Sequence, residues 1–269
     1  MEVMGNWISY DDVAETYERV HAPHMALPAR DLVVMANPPA GGRLLDVGTG
    51  TGVGAAAAHE AVGPNGLAVG IDMSMGMLIA GHRARPGVAL AAGVAVDLPF
   101  RDGTFDSVTA NFVMSHFRSY KTALADMTRV MRPGARLAVS AWADARDDLQ
   151  SSWNELVQNV VPREMLEPVW KQASPWHDLF RDRRKLEEAL RDAGLRHLRS
   201  EQHEYRFTYS VEDFVAGLES WATGRFVREM LGESSWESFK ERVRATFAER
   251  FADPLNDFRT VVMAVGTKT

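Results

Sequence analysis

Apolar positions follow two rhythms along this chain. Between residues 43 and 142, short apolar runs alternate with stretches whose apolar positions recur every third or fourth residue. The runs predict strands at 43–47, 67–71, 88–93, 105–111 and 136–142. The periodic stretches predict helices at 53–62, 74–82 and 120–131, the last with Leu124, Met127, Val130 and Met131 on its apolar face. Gly63-Pro64-Asn65-Gly66 marks one turn and Arg132-Pro133-Gly134-Ala135 another. Strands and helices alternating at this length imply an α/β fold, a parallel sheet with helices on both faces.

The flanks read differently. Tyr10, Val13, Ala14, Tyr17 and Val20 have helical spacing, with Asp11, Asp12 and Glu15 near the start of the run, where acids suit the helix dipole. Pro23 and Pro28 predict breaks, with a new helix over 29–36. Residues 144–180 are helical in pattern, 182–193 predict a helix closed by Gly194, and 195–209 a long strand. Two or three amphipathic helices over 211–251 precede a last strand at 258–267.

The candidate chemistry begins at the end of the first strand. Gly48-Thr49-Gly50-Thr51-Gly52 forms a glycine turn that leads into a helix, the usual crevice for a nucleotide-like ligand. Asp46 stands two residues before the first glycine, and a carboxylate there repels a diphosphate and suits a cation. Asp72 ends the second strand, where it can accept both hydroxyls of a ribose. That acid also fits NAD binders, and Gly50-Thr51-Gly52-Val53-Gly54-Ala55 matches their looser glycine pattern, so an NAD-dependent oxidoreductase stands as a competing reading.

An acid on strand one, a GxGxG turn and an acid ending strand two together resemble the class I S-adenosylmethionine-dependent methyltransferases. The likeness is to the small-molecule branch typified by ubiquinone and menaquinone biosynthesis (methyltransferase type 11), and it covers residues 10–142. Asp97-Leu98-Pro99 after strand three, and Thr104-Phe105-Asp106-Ser107-Val108 followed by Asn111, carry it further. The resemblance implies a Rossmann-like, seven-stranded, mostly parallel sheet whose last strand inserts antiparallel between strands five and six. It implies an N-terminal helical segment, 1–42, folding over the cofactor. The core is then 43–143 plus 181–209 and 253–269, with 144–180 and 210–252 as a helical substrate cap. The implied cofactor is S-adenosyl-L-methionine. Its site takes in Asp46, Gly48, Thr49, Gly50 and Asp72, with Met73 against the adenine face, Asp97 accepting the adenine amino group, the Leu98 amide reaching a ring nitrogen, and Asn111 beside the methionine moiety. Tyr17 supplies an aromatic wall or packs the core; the sequence fits both.

Methyl transfer from a sulfonium needs alignment more than a catalytic motif. His116, just past strand four, is the candidate general base and pocket residue, or else packs beside the sheet. His21, His24 and His177 are weaker candidates, and His203 reads as structural. Seven tryptophans (Trp7, Trp142, Trp153, Trp170, Trp176, Trp221 and Trp236) avoid residues 8–141, so they line or pack the cap; Trp142 is best placed for the pocket. Aromatic walls suit a small apolar or aromatic acceptor, methylated on O, N or C. A fold that binds the cofactor without transferring methyl stays open as an alternative. No histidine pair has metal-ligand spacing, so no metal is expected.

Composition narrows the partners. In 269 residues a net charge of −6 argues against nucleic acid and anionic membranes. Zero cysteines exclude disulfides and a thiol nucleophile and fit a reducing cytoplasm. Met1 to Gly5 has no signal-peptide character, which adds to the cytoplasmic expectation. A monomer or homodimer acting on a small molecule is expected.

Overall fold

The computed structural model describes residues 9–143 and 148–269; Trp7 and the start of the segment at 144 lie outside them. The core is β1 (Arg43–Val47), α3 (Val53–Val62), β2 (Leu67–Asp72), α4 (Met75–Ala84), β3 (Ala89–Ala92), β4 (Phe105–Ala110), α5 (Tyr120–Val130) and β5 (Met131–Trp142), preceded by α1 (Ala14–Val20) and α2 (Ala22–Ala36). After it come α6 (Asp148–Gln158), α7 (Arg163–Ala173), α8 (His177–Phe180), α9 (Arg183–Asp192), β6 (Leu195–Tyr209), α10 (Val211–Gly217), α11 (Ala222–Leu231), α12 (Glu233–Arg250) and β7 (Leu255–Lys268). The strands form one seven-stranded sheet in the order β3-β2-β1-β4-β5-β7-β6. β1 to β5 run parallel, and β7 lies antiparallel between β5 and β6, as expected.

Side chains alternate across the sheet, so neighbouring residues serve opposite faces. Leu44 and Ala68 meet α2 and α3 through Val33, Ala57, Ala58 and Val62. Leu45, Val47 and Ile71 face a second core with α5 and α9. The small residues Ala55 and Ala58 let α3 lie close on the strands. Ser74 caps α4 by accepting from the Met77 amide, and Asp182 caps α9 through Arg184.

The two flanking helical regions do not stand apart. Trp153 of α6, Leu166 of α7, Phe214 of α10, Val227 of α11 and Trp236 of α12 share one core with Leu32 and Met35 of α2 and with β5, β6 and β7. α2 differs from expectation. Pro23 sits in its first turn, where no N–H is needed, and Pro28 lies buried inside it without ending it. The apolar face packed on the sheet outweighs one lost helical hydrogen bond. Among the described residues no helix is long and apolar enough to cross a membrane.

Candidate active site

The glycine turn after β1 wraps the end of β2. Gly48, Gly50 and Gly52 adopt φ of +70°, +57° and +87°, which L side chains resist. Four of its amides point inward. Gly48 N and Thr49 N donate to Ile71 O at 2.8 and 3.0 Å, Gly52 N to Thr49 O at 2.9 Å, and Gly50 N to Asp72 Oδ2 at 2.8 Å. A diphosphate would need such amides facing the crevice.

Asp46 adds to that exclusion from beneath. It is 2% exposed and accepts from Thr109 Oγ1 at 2.7 Å. Its carboxylate reaches the start of α3 because Gly54 has no side chain: a Cβ there would overlap it. Burial pushes its pKa up to about 6, against the pull of the Thr49 and Thr109 hydroxyls. The Asp46 carboxylate is therefore closed to direct contact from the crevice.

Asp72 is the acid that faces the crevice. Oδ2 holds Gly50 N, Oδ1 holds Ser74 N at 2.9 Å, and each oxygen has capacity for a further donor. Burial raises its pKa, opposed by the Ser74, Gly50 and Met73 amides. Met73 beside it is 77% exposed, an apolar face with nothing on it. β3 pairs with β2 at this level, Asp72 against Ala92, so the loop carrying Asp97 lies nearby, and Asp97 is exposed. Leu98 departs from expectation. Its amide donates to Asp126 Oδ2 of α5 at 2.6 Å, and Arg129 Nε holds that carboxylate at 2.6 Å. Leu98 is buried, and its amide is not offered to a ligand.

The opposite wall is made of side chains. Asn111 Oδ1 accepts from Ser140 Oγ at 2.6 Å, and Ser140 Oγ accepts from Phe112 N at 2.9 Å. This clamp holds Phe112 at φ +57°, a conformation that costs about 1–3 kcal/mol in a non-glycine residue. The Phe112 ring stacks on Trp142 at 3.9 Å, and Phe207 meets Trp142 edge-on at 6.1 Å. Neither Phe112 nor Ser140 carries a sequence signal for this role.

His116 is an exposed residue whose ring is nonetheless surrounded by protein. Its Nδ1 lies 2.8 Å from Ala173 O at the end of α7. A carbonyl only accepts, so Nδ1 carries the hydrogen and Nε2 is left as the acceptor of the neutral ring. Burial lowers its pKa, opposed by the Ala173 carbonyl. The Tyr10 ring lies edge-on to His116 at 6.5 Å and to Tyr17 at 6.3 Å, and the Arg225 guanidinium lies 5.2 Å from its centre. Burial raises the pKa of both tyrosines, and the Asp72 charge raises both further. The N-terminal segment thus brings Tyr10 as well as Tyr17 within the field of Asp72. The seven-residue spacing of the two rings, two helical turns, is the signal that marks Tyr10.

The other candidates separate. His21 Nε2 lies 3.4 Å from Gly217 O among Tyr17, Tyr209 and Trp221, and burial pushes its pKa down to about 4. His24 packs on Phe207 and Tyr209. His203 pairs with Glu201 on β6. Trp153 and Trp236 are fully buried, Trp170 donates to Thr223, and Trp176 donates to Phe117 O, so these four pack the helices together. Among the described residues no cluster suits a metal ion.

Residues 45–139 match the family model described as a methyltransferase domain. The demethylmenaquinone methyltransferase of Renibacterium salmoninarum is 40% identical over 139 residues, 50% of this chain and 57% of that protein. The one from Symbiobacterium thermophilum is 35% identical over 47% of this chain and 55% of that protein. The chain thus spans a little over half the length of these curated relatives. A Thermotoga maritima structure described as a methyltransferase, possibly of histamine, superposes with TM-score 0.56 at 18% identity, over 98% of this chain and 99% of that one. Phosphoethanolamine N-methyltransferase 2 of Haemonchus contortus, with S-adenosylhomocysteine bound, gives 0.57 at 16% identity, over 96% of this chain and 58% of that one. Residues 45–139 match a methyltransferase domain, and the fold is that of the methyltransferase structures on which the chain superposes.

Proposed function

We propose that the chain transfers a methyl group from S-adenosylmethionine to a small apolar or aromatic acceptor. The carrying observation is the pairing of two acids with inward-turned amides. Asp46 fills the start of α3 with negative charge, Asp72 faces the crevice, and four of the turn's five amides are already bonded within the protein. That donor set fits a cation with a ribose and does not fit a dinucleotide.

Bound S-adenosylmethionine supplies an electrophilic methyl group on a good leaving group. The chain's own residues do the rest. Asp72 accepts the ribose hydroxyls, Met73 covers one adenine face, Asp97 takes the amino group, and Asn111 borders the methionine moiety. Phe112 and Trp142 give a flat apolar wall, which orients an acceptor and keeps water away. His116 Nε2 takes the proton from a protic acceptor, its tautomer fixed by the Ala173 carbonyl. Residues 144–180 and 210–252 serve as the acceptor-side cap. The names of the demethylmenaquinone methyltransferases support a planar, greasy acceptor. The net charge of −6 supports an enzyme that engages neither nucleic acid nor membrane, and zero cysteines fit a cytoplasmic one, acting as monomer or homodimer.

The test is incubation with S-adenosylmethionine tritiated on the methyl group and a panel of naphthols, quinols, phenols and amines. Label moving into an extractable product, with equal S-adenosylhomocysteine formed, supports the reading. Bound cofactor with no label transferred across the panel favours a non-methylating role.

A further inference from the structure

Asp11 does not do what its place at a helix start suggests. Its Oδ1 leaves its own helix and lies at the start of α4, accepting from Ser74 Oγ at 2.7 Å and Gly76 N at 2.8 Å. The backbone of Asp11 sits so close to Gly76 that any Cβ there would overlap it. Those hydrogen bonds hold the Asp11 carboxyl below the usual range. Ser74 is shared: its amide donates to Asp72 Oδ1 and its hydroxyl to Asp11 Oδ1. The ribose acid and the N-terminal segment are thus tied to one residue. The same segment carries Tyr10 and Tyr17, whose rings meet edge-on at 6.3 Å, and Arg85, just past α4, reaches Glu18 at 2.9 Å.

On the reading that Asp72 holds the cofactor ribose, we infer that Asp11 is a positioning residue, the latch that docks residues 9–20 on Ser74 and Gly76 and so closes Tyr10 and Tyr17 over the bound cofactor. The cofactor leaves when this segment lifts, so its exit rate follows the docking equilibrium. Occupancy at Asp72 orders Ser74 and favours docking. Docking in turn presents Tyr10 to His116 and completes the acceptor wall.

The experiment measures release of tritiated S-adenosylhomocysteine, chased with excess unlabelled compound, from the full chain and from Asp11→Ala and Asp11→Asn. Amide hydrogen exchange of residues 9–20 is followed alongside. Asp11→Ala removes a charged acceptor from two donors, so release speeds up about tenfold. Asp11→Asn keeps a neutral acceptor and falls between. Exchange rises over 9–20 and not over β1 to β5. Release within about twofold of the parent in both variants would overturn the latch, as would exchange rising equally throughout the sheet. A parent chain that binds no S-adenosylhomocysteine at all contradicts the cofactor reading instead. The latch is then still decided by whether Asp11→Ala removes protection from residues 9–20.

Discussion

The two walls of the crevice are built by different means. One, proposed for the cofactor, is backbone: three left-handed glycines, four inward amides and the ends of two parallel strands hold Asp46 and Asp72 in place. The other, proposed for the acceptor, is side chain: Tyr10 of the N-terminal segment meets His116 from the loop after β4 and Arg225 from α11, and Phe112 of the same loop stacks on Trp142 of β5. A wall of backbone conformations tolerates few residue types at each position. A wall of packed rings can be rebuilt from many sequences. One wall can thus keep its ligand while the other changes its own.

The sharpest break of the backbone wall is Gly54→Ala. The new methyl overlaps the buried Asp46 carboxylate, so thermal unfolding should show a loss of about 2–4 kcal/mol, and the cofactor affinity falls with it. A fully stable variant would mean that Asp46 is free to move.

On the other wall, His116→Gln should lower turnover of a hydroxyl acceptor about a hundredfold, a typical share for a positioned base. Affinity for S-adenosylhomocysteine should hold. Because burial lowers the His116 pKa, its base form persists below the usual imidazole range. Parent activity should therefore fall only as pH drops through that lowered value, and the variant should lack this limb. An unchanged pH profile removes His116 from the chemistry.

Asp72→Ala should weaken cofactor binding by about 1.5–3 kcal/mol, read by titration calorimetry, with little change in acceptor selectivity. The smallest effect belongs to a ring. Trp142→Ala removes the stack on Phe112 and should raise the acceptor KM by about 0.5–1.5 kcal/mol equivalent while leaving cofactor affinity alone. Cofactor affinity falling as far as acceptor affinity would show that the walls are not separate.

The same contrast explains what could be read in advance. β1, α3 and β6 fall on the expected residues because alternation, an alanine run and turn glycines dictate them locally. The antiparallel place of β7 between β5 and β6 follows from the resemblance. Pro28 misleads because tertiary packing carries α2 through it. The Leu98 amide misleads because its acceptor, Asp126, is 28 residues away on another helix. Asp46 reads as a ligand group but is buried, since no local pattern reports that Gly54 draws it under the turn. Asp11 reads as a helix-start acid, and its true partner is α4. Tryptophans confined to the flanks suggest a pocket, yet most of them form the joint between α6, α7, α11, α12 and the sheet.

The claim that matters most is that the turn after β1 holds an adenosine cation and excludes a dinucleotide. Titration calorimetry of the full chain with S-adenosylmethionine, S-adenosylhomocysteine and NAD tests it directly. The account predicts saturable binding of the first two and no heat from the third. Binding of NAD, with neither adenosyl compound bound, would contradict it.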